Sequence, residues 1–543
     1  MASLTPMQGA LGHRYAAHLL RRTSYRYTKA KVAERAGQPG AEALPSFLQL
    51  HPLQLEQPIY GDNAVTWILP PGGGSVAVDT ELRPWLAAWW VNEALNDPGI
   101  GHRMTFFLHQ YNAVAMPTAF TTHYFDYLSL LRWGALGNFK MFITKMVTDN
   151  CMLKYLDNTE NSEANPNENF AREFFELFTI GKGPQAGPGD YTNFTEEDIV
   201  EASKVFTGFR FRGQRDEIDA DTNIPKGRVN FNFHDDTAKT FSDRFQGTTI
   251  AGAADAAGMW TELNALVDMT FAQPETAKNF CRRIYRFFVS RHITPEIETD
   301  IITGLADTMI ASNFEIKPVL EQLLQSQHFF DLDDSDNADE IIGGLIKSPL
   351  ELSLQAISFY QIPLPDPMTQ PQEFFEFYTR GVLTRMFQYA NLPIFFPDDV
   401  AGYPGLYQQP DYHRGWFNSS TIVARYKLPE MLLTGTLAFG GAVNEPLGIQ
   451  LNIADWIKNS GNISDATDPY VLVQDLLEYF LPEATDNDRF NYFYDTVFLD
   501  QLPPADWTYE WQAYLNTGDD TEVKIPLGRL INAIMYSAEY QLF

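Results

Sequence analysis

Residues 165–181 read NPNENFAREFFELFTIG, and this stretch decides the fold class because it encodes a short helix with two different faces. Asn165 can cap the helix, Pro166 suits its first position, and Glu168 completes a capping box. Gly181 supplies the left-handed residue that ends such a helix. At about 100° per residue, the phenylalanines fall on one half of the helical wheel and the charged side chains on the other. The stretch therefore predicts an amphipathic helix.

The charged half of this helix has two interpretations. It is a solvated face held by pairs of Arg172 with Glu168 and Glu176, each worth about 0.2–0.5 kcal/mol, or it is the wall of a site. In a site, Glu173 or Glu176 would serve as acid, base or metal ligand. Spacing alone favours the solvated face. The charged half of the wheel is nevertheless so regular that we expect an internal network around Arg172. Removing Arg172 from such a network would cost roughly 3–5 kcal/mol of stability.

The composition is typical of a folded globular protein and argues against nucleic-acid binding. The chain has 543 residues, of which 45% are hydrophobic, so it can hold two or more domains. Its formal net charge of −30 would repel phosphate. No apolar run is long enough to span a bilayer. A stretch rich in aspartate at residues 331–336 marks a soft boundary, and we expect helical regions over residues 1–332 and 337–543.

Apolar residues at spacings of three and four predict helices along most of the chain. The predicted helices span residues 10–22, 28–37, 81–96, 101–112, 120–134, 138–156, 166–180, 196–207, 257–270, 275–290, 295–312, 315–330, 338–360, 371–392, 417–434, 470–480, 485–498 and 524–540. In residues 208–250, Phe and Val alternate with polar residues, which predicts a small antiparallel β insertion with an exposed acidic turn at 215–227. Pro/Gly-rich loops at 69–75 and 396–412 are either functional lids or plain surface. We therefore predict a mainly α, multi-helix globular protein with a small antiparallel β insertion.

The cysteine content and the N-terminal segment are the features that bear on the cellular compartment of the protein. Only Cys151 and Cys281 occur, so the sequence contains no disulfide framework and no zinc-type cysteine cluster. Arg21 and Arg22 invite comparison with a twin-arginine signal, but polar rather than hydrophobic residues follow them. No signal peptide is visible, so we expect a cytoplasmic or non-classically exported protein. These features leave the oligomeric state open.

Two histidines are candidate functional groups. His109 lies in a largely apolar predicted helix, where a lone histidine is more often a hydrogen-bonded core residue than a catalyst. His234 and Asp235 follow the alternating phenylalanines, at a strand end or turn where a ligand pair or a turn cap is equally natural. The sequence contains no HExxH motif, so a metal site would have to assemble from distant segments.

A basic stripe stands out against the acidic background. Lys278, Arg282 and Arg286 recur at i, i+4 and i+8, with Arg283 beside them. We favour a structural role, in which these side chains pair with acidic helices. The alternative is a clamp for an anion or a carboxylate.

Several motifs resemble the bacterial domain-of-unknown-function family numbered 1800. The matching segments are residues 17–22, 155–158, 167–181, 195–199, 207–209, 234–239, 286–289, 416–420 and 537–541, which together extend over nearly the whole chain. The resemblance implies no established activity. It implies that relatives are often secreted, and that their genes often neighbour those of a sulfatase-like or phosphatase-like protein, which suggests a partner and an envelope or external role. This chain reads His109-Gln110-Tyr111 where the family tends to place two histidines around an asparagine.

Two hypotheses of function follow. The first is a hydrolase-like enzyme whose site combines His109, Arg172, Glu173 and Glu176 as catalytic residues. His234, Asp235 and Glu176 would then be the ligands of a divalent metal, if one is bound. The second is a non-enzymatic partner or assembly subunit that works with the sulfatase-like or phosphatase-like protein. Under the first hypothesis we expect the five catalytic and histidine side chains to converge on one locus, because buried polar groups must find one another.

Overall fold

The computed structural model describes residues 2–68, 78–188, 190–333, 341–437, 445–446 and 450–543. The predicted fold class is confirmed, since helices dominate and the strands form only two-stranded antiparallel sheets. The predicted loop at 69–75 lies outside the described residues. Most of the predicted boundary at 331–337 lies outside them as well. Among the helices of the described ranges, none is both long and apolar enough to cross a membrane.

The helices and strands have the following bounds. The α-helices are Gly12–Thr23, Lys29–Ala36, Gly40–Phe47, Asp79–Asn96, Gly101–Tyr111, Thr121–Gly134, Phe139–Met146, Asn150–Tyr155, Asn169–Glu173, Glu196–Val205, Ala256–Phe271, Pro274–Phe288, Pro295–Ile297, Thr303–Ala311, Ile316–Leu324, Pro349–Phe359, Pro371–Glu376, Pro404–Tyr407, Thr421–Thr434, Ile453–Asn459, Pro469–Phe480, Asn487–Asn491, Pro504–Thr517 and Lys524–Tyr536. The π-helical segments are Phe174–Phe178, Glu298–Ile302, Phe377–Phe387 and Tyr492–Phe498. The paired strands are Ile59–Tyr60 with Val65–Thr66, Gln185–Gly187 with Asp190–Tyr191, Phe209–Arg210 with Arg228–Val229, Lys239–Thr240 with Thr249–Ile250, and Thr436–Leu437 with Glu445–Pro446.

The helix at residues 165–181 begins later than its sequence predicts. Its α-helical part is Asn169–Glu173, and Phe174–Phe178 continues it as a π-helix. Asn165 is drawn into a turn with Ser162. The side chain of Asn167 instead accepts a hydrogen bond from the Asn169 amide at 2.9 Å. The predicted capping box is therefore wrong, whereas Gly181 has the expected positive φ, at 76°.

The β insertion is present, but it consists of two separate two-residue ladders. The turn at 215–227 is only partly exposed, which corrects the sequence expectation. Arg215 is buried and makes a bidentate bond with Asp126 at 2.6 and 2.7 Å. Asp219 is buried and lies 2.9 Å from Lys145 and 3.1 Å from Lys226. These ion pairs fix the turn to the helical body.

The first helix, Gly12–Thr23, connects segments from both predicted regions. Arg21 donates hydrogen bonds to the carbonyl oxygens of Tyr479 and Leu481 at 2.6 and 2.9 Å. Arg22 donates to the carbonyl oxygen of Val289 at 3.1 Å. Both arginines are buried, so carbonyl groups stabilise their charges in place of water. The division into two regions stays a prediction.

Candidate functional site

Arg172 lies on a partly solvated face and not inside a buried network. Its guanidinium makes a bidentate bond with Glu196, at 2.8 and 2.7 Å, across to the first turn of Glu196–Val205. Glu168 and Glu176 lie farther from it, at 3.5 and 4.0 Å. The Arg172 side chain is 32% exposed and that of Glu196 is 39% exposed. The expectation of an internal network around Arg172 is therefore corrected.

Glu173 is the electrostatically unusual residue of this face. Burial, together with the negative charges of Glu176 and Asp399, raises its pKa to about 7 from an ordinary value of 4.5. The side chain of Glu176 lies 3.0 Å from the ammonium group of Lys182, which holds that carboxylate at the edge of the face. A carboxyl group with a pKa near neutrality can both accept and release a proton under ordinary conditions.

His109 is fully buried among aromatic rings. Its Nδ1 lies 2.9 Å from the hydroxyl of Tyr127, and rings of Phe395 and Tyr403 pack against it. Burial lowers its pKa to about 3, so the imidazole is neutral at ordinary pH. The aromatic surroundings fit a core histidine.

His234 belongs to a second buried cluster. Its Nε2 lies 2.5 Å from Glu262 Oε2, and its Nδ1 lies 2.9 Å from the Thr207 carbonyl oxygen. Lys239 lies 2.5 Å from the other carboxylate oxygen of Glu262. Both ring nitrogens therefore have protein partners.

The residues predicted as metal ligands, His234, Asp235 and Glu176, have other partners in the described structure. The carboxylate of Asp235 accepts a hydrogen bond from the Thr237 amide at 2.9 Å, while Glu176 faces Lys182. Within the described ranges, no group of three or more histidine, cysteine, aspartate or glutamate side chains could hold a metal ion. The expected convergence of both histidines and the carboxylates on one locus also finds no support in their hydrogen bonds, because each histidine has other partners.

A separate pocket lies between two long helices and the loop predicted at 396–412. Its volume is about 200 Å³. Gly101–Tyr111 and Pro274–Phe288 form two walls, and residues 401–416 form a third. The lining side chains that matter for its chemistry are Gln110, Tyr111, Asn279, Arg283, Arg286 and Trp416.

The arginines of Pro274–Phe288 fall into two classes. Arg282 pairs with Glu275 at 2.5 Å and with Glu298 at 2.6 Å, as the structural interpretation of the basic stripe predicts. Arg283 and Arg286 line the pocket instead. Neither has an acidic partner within 4.0 Å among the residues that the structure describes. For Arg283 and Arg286, the missing partners favour the alternative interpretation of the basic stripe, a clamp for an anion or a carboxylate.

Tyrosine rings cover one side of each pocket arginine. The guanidinium carbon of Arg283 lies 4.5 Å from the centre of the Tyr111 ring, and that of Arg286 lies 5.2 Å from the centre of the Tyr412 ring. Burial and the nearby positive charges of Arg282 and Arg283 lower the pKa of Arg286, and its Nε has no hydrogen-bond partner. An anion in the pocket would relieve this uncompensated charge.

Two further residues that line the pocket carry buried polar atoms without partners in the described structure. The Nε2 atom of Gln110 and the hydroxyl of Tyr111 make no hydrogen bond, although both side chains are more than nine-tenths buried. Burial raises the pKa of Tyr111 to about 12, so its hydroxyl keeps its proton and can donate it. Buried polar groups are normally satisfied, and exceptions often mark a place where something binds.

Two glycines let the loop form the third wall. Gly402 has a φ of 96°, and a Cβ there would lie 2.5 Å from Gln110 Oε1. Gly405 packs directly on the indole of Trp416, where a Cβ would overlap the ring. The Gln110 Oε1 atom accepts a hydrogen bond from the Tyr403 amide at 3.0 Å, which orients the free Nε2 end of the same side chain. The loop is thus seated against Gln110 and Trp416.

The carboxylate face and the pocket are neighbours. Asn279 lines the pocket and donates a hydrogen bond at 2.7 Å to the carbonyl oxygen of Thr179, at the end of the helix that carries Glu173. Asp399 raises the pKa of Glu173, and it also raises that of Tyr407, a lining residue of the pocket. The sequence indicates the carboxylate face and the basic stripe as separate features. It carries no signal that Arg283 and Arg286 have no acidic partner, because pairing depends on tertiary contacts.

Comparison with known proteins identifies a family and no characterised relative. The family described as "Protein of unknown function (DUF1800)" matches residues 18–542. Neither the curated proteins nor the solved structures include a match to this chain. Because the match covers nearly all of the sequence, the chain belongs to the DUF1800 family.

Proposed function

We propose that the pocket between Gly101–Tyr111 and Pro274–Phe288 binds a small anionic substrate, and that the protein is a hydrolase-like enzyme. The observation that carries this proposal is the presence of two arginines, Arg283 and Arg286, which line one pocket without a carboxylate partner. Unpaired, partly buried cations destabilise a folded protein, so their retention favours a ligand that supplies the missing negative charge.

Glu173 supplies the acid–base chemistry in this proposal. Its raised pKa suits a group that removes a proton from water as the water attacks, and then returns the proton to the leaving group. The two arginines would stabilise the negative charge that develops during the attack. Arg172 would act on Glu173 only through its positive charge, which opposes the rise of that pKa. The proposal uses neither His109 nor His234.

Binding of simple anions tests the first half of the proposal. Isothermal titration calorimetry with acetate and inorganic phosphate should give heat of binding for the wild-type protein. Arg283→Gln and Arg286→Gln should each weaken the binding by about tenfold or more, as expected when one partner of a charged hydrogen bond is removed. Lys278→Gln is the matched control, because Lys278 lies on the same helix but does not line the pocket. Equal binding by all four proteins would refute the proposed site.

A second candidate function is binding to another protein, such as the sulfatase-like or phosphatase-like neighbour. It is favoured by an open groove beside Lys524–Tyr536, where Tyr492, Ile525 and Tyr536 are 45%, 59% and 39% exposed. Exposed apolar patches of this kind often mark interaction surfaces. Light scattering of the purified pair, with Ile525→Ser as the variant, tests this candidate. An unchanged mass on mixing would exclude it.

A further inference from the structure

We infer that the ligand of the pocket is a small aromatic carboxylate, an inference that rests on the proposed anion site and names the chemical class of its ligand. Three features of the pocket carry it: its volume, its aromatic lining, and the arrangement of its unpaired donors.

The volume suits a ligand whose enclosed part is one ring with a short substituent. A cavity of about 150 Å³ accommodates benzene. The pocket measures about 200 Å³, which leaves room for a carboxylate or a similar group beside a single ring. Drug-sized ligands occupy roughly 300–1,000 Å³, so nucleotides and oligosaccharides are too large to be enclosed.

The lining favours an aromatic body over an aliphatic one. Eight of the 22 lining residues are phenylalanine, tyrosine or tryptophan, a far larger share than the 14% aromatic content of the chain. The eight are Phe106, Phe107, Tyr111, Phe287, Tyr407, Tyr412, Trp416 and Phe543. Aromatic side chains contribute specific edge-to-face and offset contacts in addition to buried area, so a ring in the ligand would gain most from this surface.

The donors favour a carboxylate at the charged end. Each guanidinium has one side covered by a tyrosine ring, which leaves its N–H groups for a planar acceptor. Guanidinium groups bind the two oxygens of a carboxylate in a bidentate manner. Among the residues that the structure describes, no lysine lines the pocket, and the buried Arg103 is already paired with Glu351.

Calorimetry with matched ligands tests the inference on the full chain. The probes are phenylacetate, acetate, benzyl alcohol and phenyl phosphate, which separate the ring from the charge and the carboxylate from the phosphoryl group. We expect phenylacetate to bind about tenfold or more tightly than each of the other three. Phe287→Leu keeps the apolar bulk but removes a ring, and it should weaken phenylacetate by about two- to tenfold while leaving acetate unchanged.

The possible failures are distinguishable. Equal affinity for acetate and phenylacetate would overturn the aromatic class and leave the anion site standing. Tighter binding of phenyl phosphate would overturn the carboxylate. Tightest binding of benzyl alcohol, with no effect of Arg286→Gln, would overturn both this inference and the proposed function. Binding of none of the probes to a folded protein would do the same.

Discussion

Replacing Glu173 with glutamine should change how the stability of the protein depends on pH. The folded protein holds the Glu173 proton with a pKa of about 7, whereas an ordinary carboxyl group has a value of 4.5. The folded state therefore binds this proton more tightly than the unfolded state does. Protonated Glu173 contributes stability that is fully present below about pH 4.5 and is lost as the pH rises through about 7.

The size of the effect follows from the same two values. At about 1.36 kcal/mol per pKa unit, a rise from 4.5 to about 7 corresponds to at most about 3.4 kcal/mol. Glu173 is only partly buried, and water screens its charge, so we expect about 1–2 kcal/mol. Glutamine cannot ionise. The variant should therefore be more stable than the wild type by this amount at about pH 8, and equally stable within about 0.5 kcal/mol at about pH 4.

Urea denaturation of both proteins across this range measures the difference directly. Glu163→Gln is a suitable control, because Glu163 is exposed, and its curve should run parallel to that of the wild type. If the free energies of unfolding of Glu173→Gln and wild type differ by the same amount at every pH, then Glu173 has no raised pKa. In that case it cannot be the acid–base group of the proposed enzyme.

Three further predictions concern charged groups in different surroundings. Glu262→Ala removes the buried carboxylate that His234 and Lys239 share and should cost roughly 3–5 kcal/mol in urea denaturation, and a cost under about 1 kcal/mol would contradict the buried cluster. Arg172→Ala removes a partly exposed bidentate pair and Arg172→Lys weakens it, so each should lower the free energy of unfolding by no more than about 1 kcal/mol. Thermal unfolding can check this limit, because the loss of a buried network would cost several times more. Arg286→Leu should raise the free energy of unfolding by about 1–2 kcal/mol while abolishing anion binding, and a loss of stability would show that this arginine has a structural partner.

Local hydrogen bonding made several helix starts predictable. Thr195 and Asp198 form a capping box before Glu196–Val205, Thr28 caps Lys29–Ala36, and Pro274 occupies the first turn of Pro274–Phe288. At residues 165–181 the same reasoning failed, because several asparagines compete to cap one helix and Asn167 is the one that bonds to it. The π-helical continuation was not predictable either, since the hydrophobic pattern does not distinguish it from an α-helix.

The candidate site was predictable only in part. The sequence pointed to Glu173 as a titratable group, and the structure adds the burial that raises its pKa. The basic stripe was also visible, but spacing cannot show which arginine has a partner. Glu298 comes from a later segment and pairs with Arg282, while Arg286, one turn further along, has no carboxylate within 4.0 Å in the described structure. Pairing of this kind depends on tertiary contacts, which a single sequence does not record.

The acidic composition strengthens the case for the pocket. The chain has 69 aspartate and glutamate residues and only 39 lysines and arginines, so carboxylates are abundant relative to the cations that need them. Arg282, for example, pairs with two carboxylates, those of Glu275 and Glu298. A shortage of acidic residues therefore cannot explain why Arg283 and Arg286 line the pocket without an acidic partner within 4.0 Å among the described residues, while Glu351 of the same pocket pairs with Arg103. The long-range field of a chain with a net charge of −30 also repels free anions, so only a local arrangement of donors can hold one. Two arginines that line one small aromatic pocket provide such an arrangement.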